Sequence, residues 1–203
     1  MLVVGLTGNI AAGKSSVAAR LAHHGVPVIA SDQLARDAVA VGSPALARIA
    51  AHFGRGILAT DGSLDRAALR HIVFADAAQR RALEAITHPE VERLRQDALT
   101  RARAEGVALV ICDIPLLFEV GLERQMDRVI VVDAPASVRR ERLMRDRGLS
   151  AADADAMIAA QWPAESKRAR ADYVIDNDGT PAQLEARTDE LLHRMRLAAP
   201  GSA

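Results

Sequence analysis

Residues 8–15 read Gly-Asn-Ile-Ala-Ala-Gly-Lys-Ser. An apolar run, Leu2–Leu6, leads into them, and the helical pattern VAARLAHH follows. The stretch satisfies G-x-x-x-x-G-K-[ST], and every fixed position has a physical reason. A loop that wraps backbone N–H groups around phosphate oxygens needs residues without a side chain, here Gly8 and Gly13, where a Cβ would block approach or forbid the dihedral. The helix behind the loop offers its N-terminal N–H groups to the anion. Lys14 reaches the β- and γ-phosphates, and the Ser15 hydroxyl is a ligand for Mg²⁺. Strand, phosphate loop and helix form one βα unit, so the chain must be built around a sheet whose strand ends face a nucleotide.

Composition narrows the partners. Lys14 and Lys167 are the only lysines, so arginine carries nearly all the positive charge and a lysine in a motif is informative. Basic and acidic residues balance at 26 each, which removes the global basic field expected of a nucleic-acid binder. Half of the 203 residues are apolar and few are aromatic, so the core is expected to be Ala, Leu, Val and Ile. The single cysteine, Cys112, excludes an internal disulfide framework and a Cys-based zinc site and fits a reducing cytoplasm. The first apolar run is too short and lacks the basic start of a signal peptide, and no run approaches membrane-spanning length.

Strands are expected at Leu2–Leu6, Pro27–Ala30, Val107–Cys112, Arg128–Val132 and Tyr173–Ile175. VVGL, VALVIC and VIVV are apolar throughout, as in strands covered on both faces. Between them the apolar spacing is three and four, as in LARIAAHF and RRALEAI. This alternation implies an α/β fold with a five-stranded parallel sheet between helical layers. One domain over 1–203 is expected. Its core takes about 1–30, 106–135 and 172–197, a wholly helical substrate-side insert about 31–105, and an arginine-rich mobile lid about 136–171. Gly42-Ser43-Pro44 and Asp61-Gly62-Ser63 mark turns in the insert, and the tail from Ala198 is expected to fray. His88-Pro89 reads as the start of a helix running from Glu90 to about Ala104.

Several residues have both a functional and an ordinary reading. Asp32 follows the second strand, at a carboxyl edge where ligands bind. It could orient an acceptor hydroxyl and take its proton, or cap the helix QLARDAVA. Asp113 ends an apolar strand, as in an element that holds Mg²⁺ directly or through water. Leu116, Leu117 and Phe118 suit either a core or a substrate pocket. His88 could donate to a ligand or cap the preceding helix. The lid arginines could close over a nucleotide or form a solvated helix with i, i+4 pairs. His23, His24, His52, His71 and His193 show no metal spacing and are assigned no role. Trp162 reads as packing rather than an adenine platform. A guanine-reading N-K-x-D is absent, and Asp176-Asn177-Asp178-Gly179 matches D-x-x-G without a partner motif, which disfavours a GTPase switch.

The stretches GLTGNIAAGKSSVA, VIASDQLARDAV, AHFG…DGSLDRAALR, HP, DIPLLFE, RVIVVDAPASVRRERLM and QWPAESKRARADYVIDNDG occur together in this order. In this the chain resembles the dephospho-coenzyme A kinase family over nearly its whole length. The resemblance implies a P-loop kinase fold related to nucleoside monophosphate kinases. It implies ATP-dependent phosphorylation of the ribose 3′-hydroxyl of dephospho-coenzyme A in the cytoplasm, the final step of coenzyme A synthesis. The implied ligands are ATP, Mg²⁺ and dephospho-CoA, with no nucleic acid, membrane or obligate protein partner. By the same resemblance Lys14, Asp32 and Arg142 are catalytic. ATP is cradled by Gly8, Ala11, Ala12, Gly13, Lys14, Ser15, Ser16 and Arg142. Ser15 holds the metal, with Asp113 acting through water. Asp32, His88, Pro115, Leu116, Leu117, Phe118 and Glu119 lie on the substrate side. Ala11 departs from the family's usual glycine, and Ser16 from its threonine. Asp146 stands where a second lid arginine is expected, with Arg145 and Arg147 as neighbours. The alternatives are a kinase of another nucleoside or nucleotide, and a nucleotide-dependent switch that is not a kinase.

Overall fold

The computed structural model describes residues 1–198, so the tail from Ala199, where fraying is expected, lies outside the described residues. The chain divides into two compact units, residues 1–29 with 102–203 and residues 30–101.

The first unit is built on five strands: β1 (Leu2–Gly8), β2 (Val28–Ala30), β3 (Leu109–Asp113), β4 (Arg128–Asp133) and β5 (Tyr173–Asp176). Their order is β2-β3-β1-β4-β5, with β1 at the centre. β1 pairs in parallel with β3 and β4, and β4 with β5, which sets Leu6 against Asp113 and Gly8 against Val132. All five expected strands are present, but β1 runs on to Gly8, β3 begins at Leu109 rather than Val107, and β3 to β5 each end on an aspartate. The extra residues are polar or small and continue the ladder because their neighbours do. The ladder thereby carries Asp113, Asp133 and Asp176 to the carboxyl edge.

Side chains alternate across the sheet. Val4, Leu6, Ile111, Ile130, Val132 and Ile175 pack with Val17 and Leu21 of α1 (Lys14–His23) and with Leu184, Leu191, Leu192 and Met195 of α9 (Pro181–Ala198). On the other face a Cβ at Gly5 would meet Leu117 and Met126, so the segment after β3 covers that side. The chain from β4 to β5 forms α6 (Ala136–Arg147), α7 (Ala151–Ala159) and α8 (Ala164–Arg168).

The second unit contains α2 (Ser31–Asp37), α3 (Pro44–Phe53), α4 (Arg66–Ala75) and all but the last turn of α5 (Ala77–Ala104). Ser43 caps α3 with Pro44 in its first turn, and the Asp65 carboxylate accepts from the N–H groups of Ala67 and Ala68. Val39, Ile49, Ile57 and Leu69 form its core, against Phe53, Ile72, Leu83 and Ile86. Two expectations fail here. The unit is not wholly helical, since Leu58 and Leu64 form an antiparallel bridge closed by the Asp61-Gly62-Ser63 turn. Nor does a helix begin at His88-Pro89, because α5 runs through both residues. A proline inside a helix removes one N–H donor and crowds the carbonyl four residues back. Side chains add hydrogen bonds to carbonyls of the preceding turn: Thr87 Oγ1 of α5 itself donates to that of Leu83 at 2.9 Å, and Arg48 of α3 to that of Ile86 at 3.3 Å.

One ion cluster ties α1 to α9. Arg20 donates to Asp189 at 2.8 and 2.5 Å, and His24 Nε2 lies 2.8 Å from the same carboxylate. His24 therefore has a partner that its sequence context did not suggest. The Arg20 donors, and then His24, hold Asp189 down from its ordinary 3.8 to about 2. A depressed carboxylate stabilises the fold fully above its ordinary value, and that contribution fades as pH falls from 3.8 toward 2. Asp189→Asn is expected to flatten the fall in Tm across that interval. An unchanged slope in acid thermal melts would contradict the assignment.

Candidate active site

The phosphate loop sits between β1 and α1 at the carboxyl edge of the sheet. A Cβ on Gly8 would lie 2.5 Å from the Val132 carbonyl oxygen, so the first glycine lets β1 and β4 pair closely. Gly13 has φ of +96°, and a Cβ there would lie 2.1 Å from Asn177 Nδ2. Asn177 follows β5 and is buried, and its Nδ2 donates to the Ala12 carbonyl at 2.8 Å. The second glycine thus gives both the left-handed turn and the space in which Asn177 grips the loop.

Arg142 reaches the same place from α6. It donates to the Ala11 carbonyl at 3.1 Å and to the Asn177 backbone and side-chain oxygens at 3.2 Å each. On the other side of the loop, Gln161 Oε1 accepts from the Ile10 N–H at 2.7 Å, and Asn9 Nδ2 donates to the Trp162 carbonyl at 3.2 Å. These contacts consume carbonyls and the N–H of Ile10. The first N–H groups of α1, at Lys14 and Ser15, have no acceptor within the helix and are directed at whatever occupies the loop.

Ala11 has φ of +58°, the one non-glycine at positive φ among the described residues. The left-handed region costs an L-residue ~1–2 kcal/mol, against a flexibility cost for glycine of ~0.5–1 kcal/mol. Ala11→Gly should therefore be stabilising by ~0.5 kcal/mol, raising Tm by ~1–2 °C at this chain length. A lower Tm in calorimetry would contradict the strain.

Lys14 is ion-paired with Asp113, both largely shielded from solvent. Ser15 and Ser16 are exposed on the first turn of α1. A hydroxyl and a carboxylate next to a phosphate loop form an oxygen donor set, and no cluster of three or more His, Cys, Asp or Glu fit to hold a metal occurs among the described residues. The oxygen donors are of the kind a hard cation such as Mg²⁺ takes.

The turn after β3 divides its residues. Thr7 Oγ1 donates to the Pro115 carbonyl at 3.0 Å. Leu117 and Phe118 are buried in the first unit, whereas Leu116 is 49% exposed. The Glu119 carboxylate lies 2.6 Å from Lys167 Nζ, which is fully buried. Arg145 is tied to its neighbour Asp146 at 2.7 and 3.0 Å. Arg139 is buried, donates to the Ala134 carbonyl, and is held below its ordinary pKa by that burial. Trp162 stacks under the Arg170 guanidinium, 5.1 Å from its ring centroid.

In the second unit, Asp32 is exposed on the first turn of α2. The N-cap there is Ala30, with no side-chain cap bond, so the capping alternative for Asp32 does not hold. His88 is exposed along unbroken α5 and caps no helix end. Asn177, Gln161 and Lys167 were missed in the sequence because their partners lie far along the chain. The only signal was that all three fall in the late QWPAESKRARADYVIDN stretch.

A central strand feeding a phosphate loop, in a parallel sheet ordered β2-β3-β1-β4-β5 with an arginine brought to the loop, defines the P-loop kinase fold. Within that class the chain belongs to the dephospho-CoA kinase family, whose model, described as dephospho-CoA kinase, matches residues 2–183. A dephospho-CoA kinase of Anaeromyxobacter dehalogenans is 53% identical over 97% of this chain and 93% of its own. A dephospho-CoA kinase structure from Campylobacter jejuni is 26% identical, with a TM-score of 0.75 over 95% of this chain and 96% of its own. A crystal structure from Thermus thermophilus is 39% identical, with a TM-score of 0.78 over 96% and 97%.

Proposed function

We propose that this protein transfers the γ-phosphoryl group of ATP to the ribose 3′-hydroxyl of dephospho-CoA, giving coenzyme A and ADP, the final step of coenzyme A synthesis. The observation that carries this reading is the phosphate loop, with Lys14 at its end and Arg142 on its Ala11 carbonyl, in a chain of this family.

The roles follow from the chemistry of in-line phosphoryl transfer, which needs positioning and charge stabilisation more than covalent help. Lys14 and the N–H groups of Gly13, Lys14 and Ser15 hold the β- and γ-phosphates. Arg142 lies on the loop, where it can meet charge developing on the transferred group. Asp32 orients the acceptor hydroxyl and takes its proton. Ser15 and Asp113 would hold Mg²⁺, which would supply charge neutralisation on the phosphates. Closure of the 136–171 segment excludes water, which limits idle hydrolysis. His88, Leu116 and the rest of the Pro115–Glu119 turn serve the dephospho-CoA side. We place the reaction in the cytoplasm, which suits a buried thiol at Cys112.

Incubation with ATP, Mg²⁺ and dephospho-CoA should give a product heavier by one phosphoryl group, located by mass spectrometry on the 3′ position. Unchanged dephospho-CoA would overturn the reading.

A further inference from the structure

The stretch from Gln161 to Arg168 touches three parts of the first unit. Gln161 accepts from the Ile10 N–H of the phosphate loop. Lys167 pairs with Glu119 in the turn after β3. Arg168 bridges Asp133 and Asp176, at the ends of β4 and β5. The Lys167–Glu119 pair is the unusual member. Lys167 is fully buried, and neither its Nζ nor either Glu119 oxygen makes a well-aligned hydrogen bond among the described residues. Among the described residues each charge is paired with the other. Two desolvated charges in that situation stabilise a fold less well than two apolar side chains of similar size would, which leaves registry as the better account of such a pair.

What the pair registers is the Pro115–Glu119 turn. It closes through Val120 N–H to the Leu116 carbonyl (3.1 Å), Gly121 to Phe118 (3.2 Å) and Leu122 to Leu117 (3.0 Å). Its buried side joins the core through Leu117 and Phe118, and it leaves Leu116 outward. Glu119 is its one charged side chain, and that charge is engaged by Lys167. We infer that Lys167 is a positioning residue for the acceptor. It acts through Glu119 and sets the turn against the same segment that steadies the phosphate loop at Ile10. Glu119 then contributes by placement rather than by contact with substrate. That the turn serves the acceptor, and which acceptor it is, rest on the function proposed above.

The test compares Lys167→Met, Glu119→Gln and the double variant, measuring Tm, both KM values and amide hydrogen exchange. Each single change leaves one buried charge alone and should lower Tm. The double change leaves no charge and should recover much of the lost Tm. In the double variant, KM for dephospho-CoA should stay raised about tenfold with KM for ATP within about twofold, since the Gln161, Asn177 and Arg142 contacts to the phosphate loop remain. Exchange at Val120, Gly121 and Leu122 should be faster than in the wild type. Recovery of the acceptor KM together with Tm would make the pair merely structural and overturn the inference, as would an equal rise in both KM values. The exchange measurement needs no substrate, so unchanged protection at Val120–Leu122 overturns it even if the wild-type protein proves inactive on dephospho-CoA. Such inactivity would itself count only against the proposed function.

Discussion

Asp32→Asn should bind ATP with KM within about twofold of the wild type and lose ~10²–10⁴-fold in turnover, the usual share of a positioned general base. Asparagine keeps the size and one acceptor oxygen of aspartate but cannot take the proton. The substitution should be nearly silent in stability. Asp32 is exposed and caps nothing, so only its favourable place on the first turn of α2 is lost, worth ~0.3–1 kcal/mol. Loss of turnover with a preserved melt thus points to chemistry and not to folding. Turnover close to wild type would remove Asp32 from the mechanism.

Lys14→Met should cost ~10²–10³-fold in turnover and raise KM for ATP, because the ammonium stabilises charge on the transferring phosphate. Its stability signature differs from that of Asp32. Lys14 is the ion-pair partner of Asp113, and both are mostly shielded, so the methionine leaves a carboxylate without its counter-charge. Adding Asp113→Asn should restore much of the lost Tm without restoring turnover. If the double variant regained activity, Lys14 would be serving Asp113 and not the nucleotide.

What the sequence shows of this fold depends on how local the physics is. The central strands stood out because successive residues on opposite faces, such as Val110 and Ile111 or Val131 and Val132, are all buried and leave unbroken apolar runs. Their ends are less legible, since Gly8, Asp113 and Asp133 look like loop residues and join the ladder only because neighbouring strands extend that far. The phosphate loop was legible because its glycines, lysine and serine are contiguous. The loop's clamps were not. Asn177 reaches back 165 residues to Ala12, and Gln161 reaches 151 to Ile10. No spacing rule links residues that far apart. Pro89 misled in the opposite way. A local rule reads proline as a boundary, yet α5 runs on through it. Ala11 was a departure visible in the sequence, and the structure gives it a physical meaning in its φ of +58°.

The most direct measurement of the central claim is acceptor-dependent ADP release with ATP and Mg²⁺, comparing dephospho-CoA, AMP, adenosine and no acceptor. The account predicts stimulation by dephospho-CoA alone, with coenzyme A formed in step with ADP. Stimulation by AMP or adenosine in its place, or slow release indifferent to every acceptor, would contradict it.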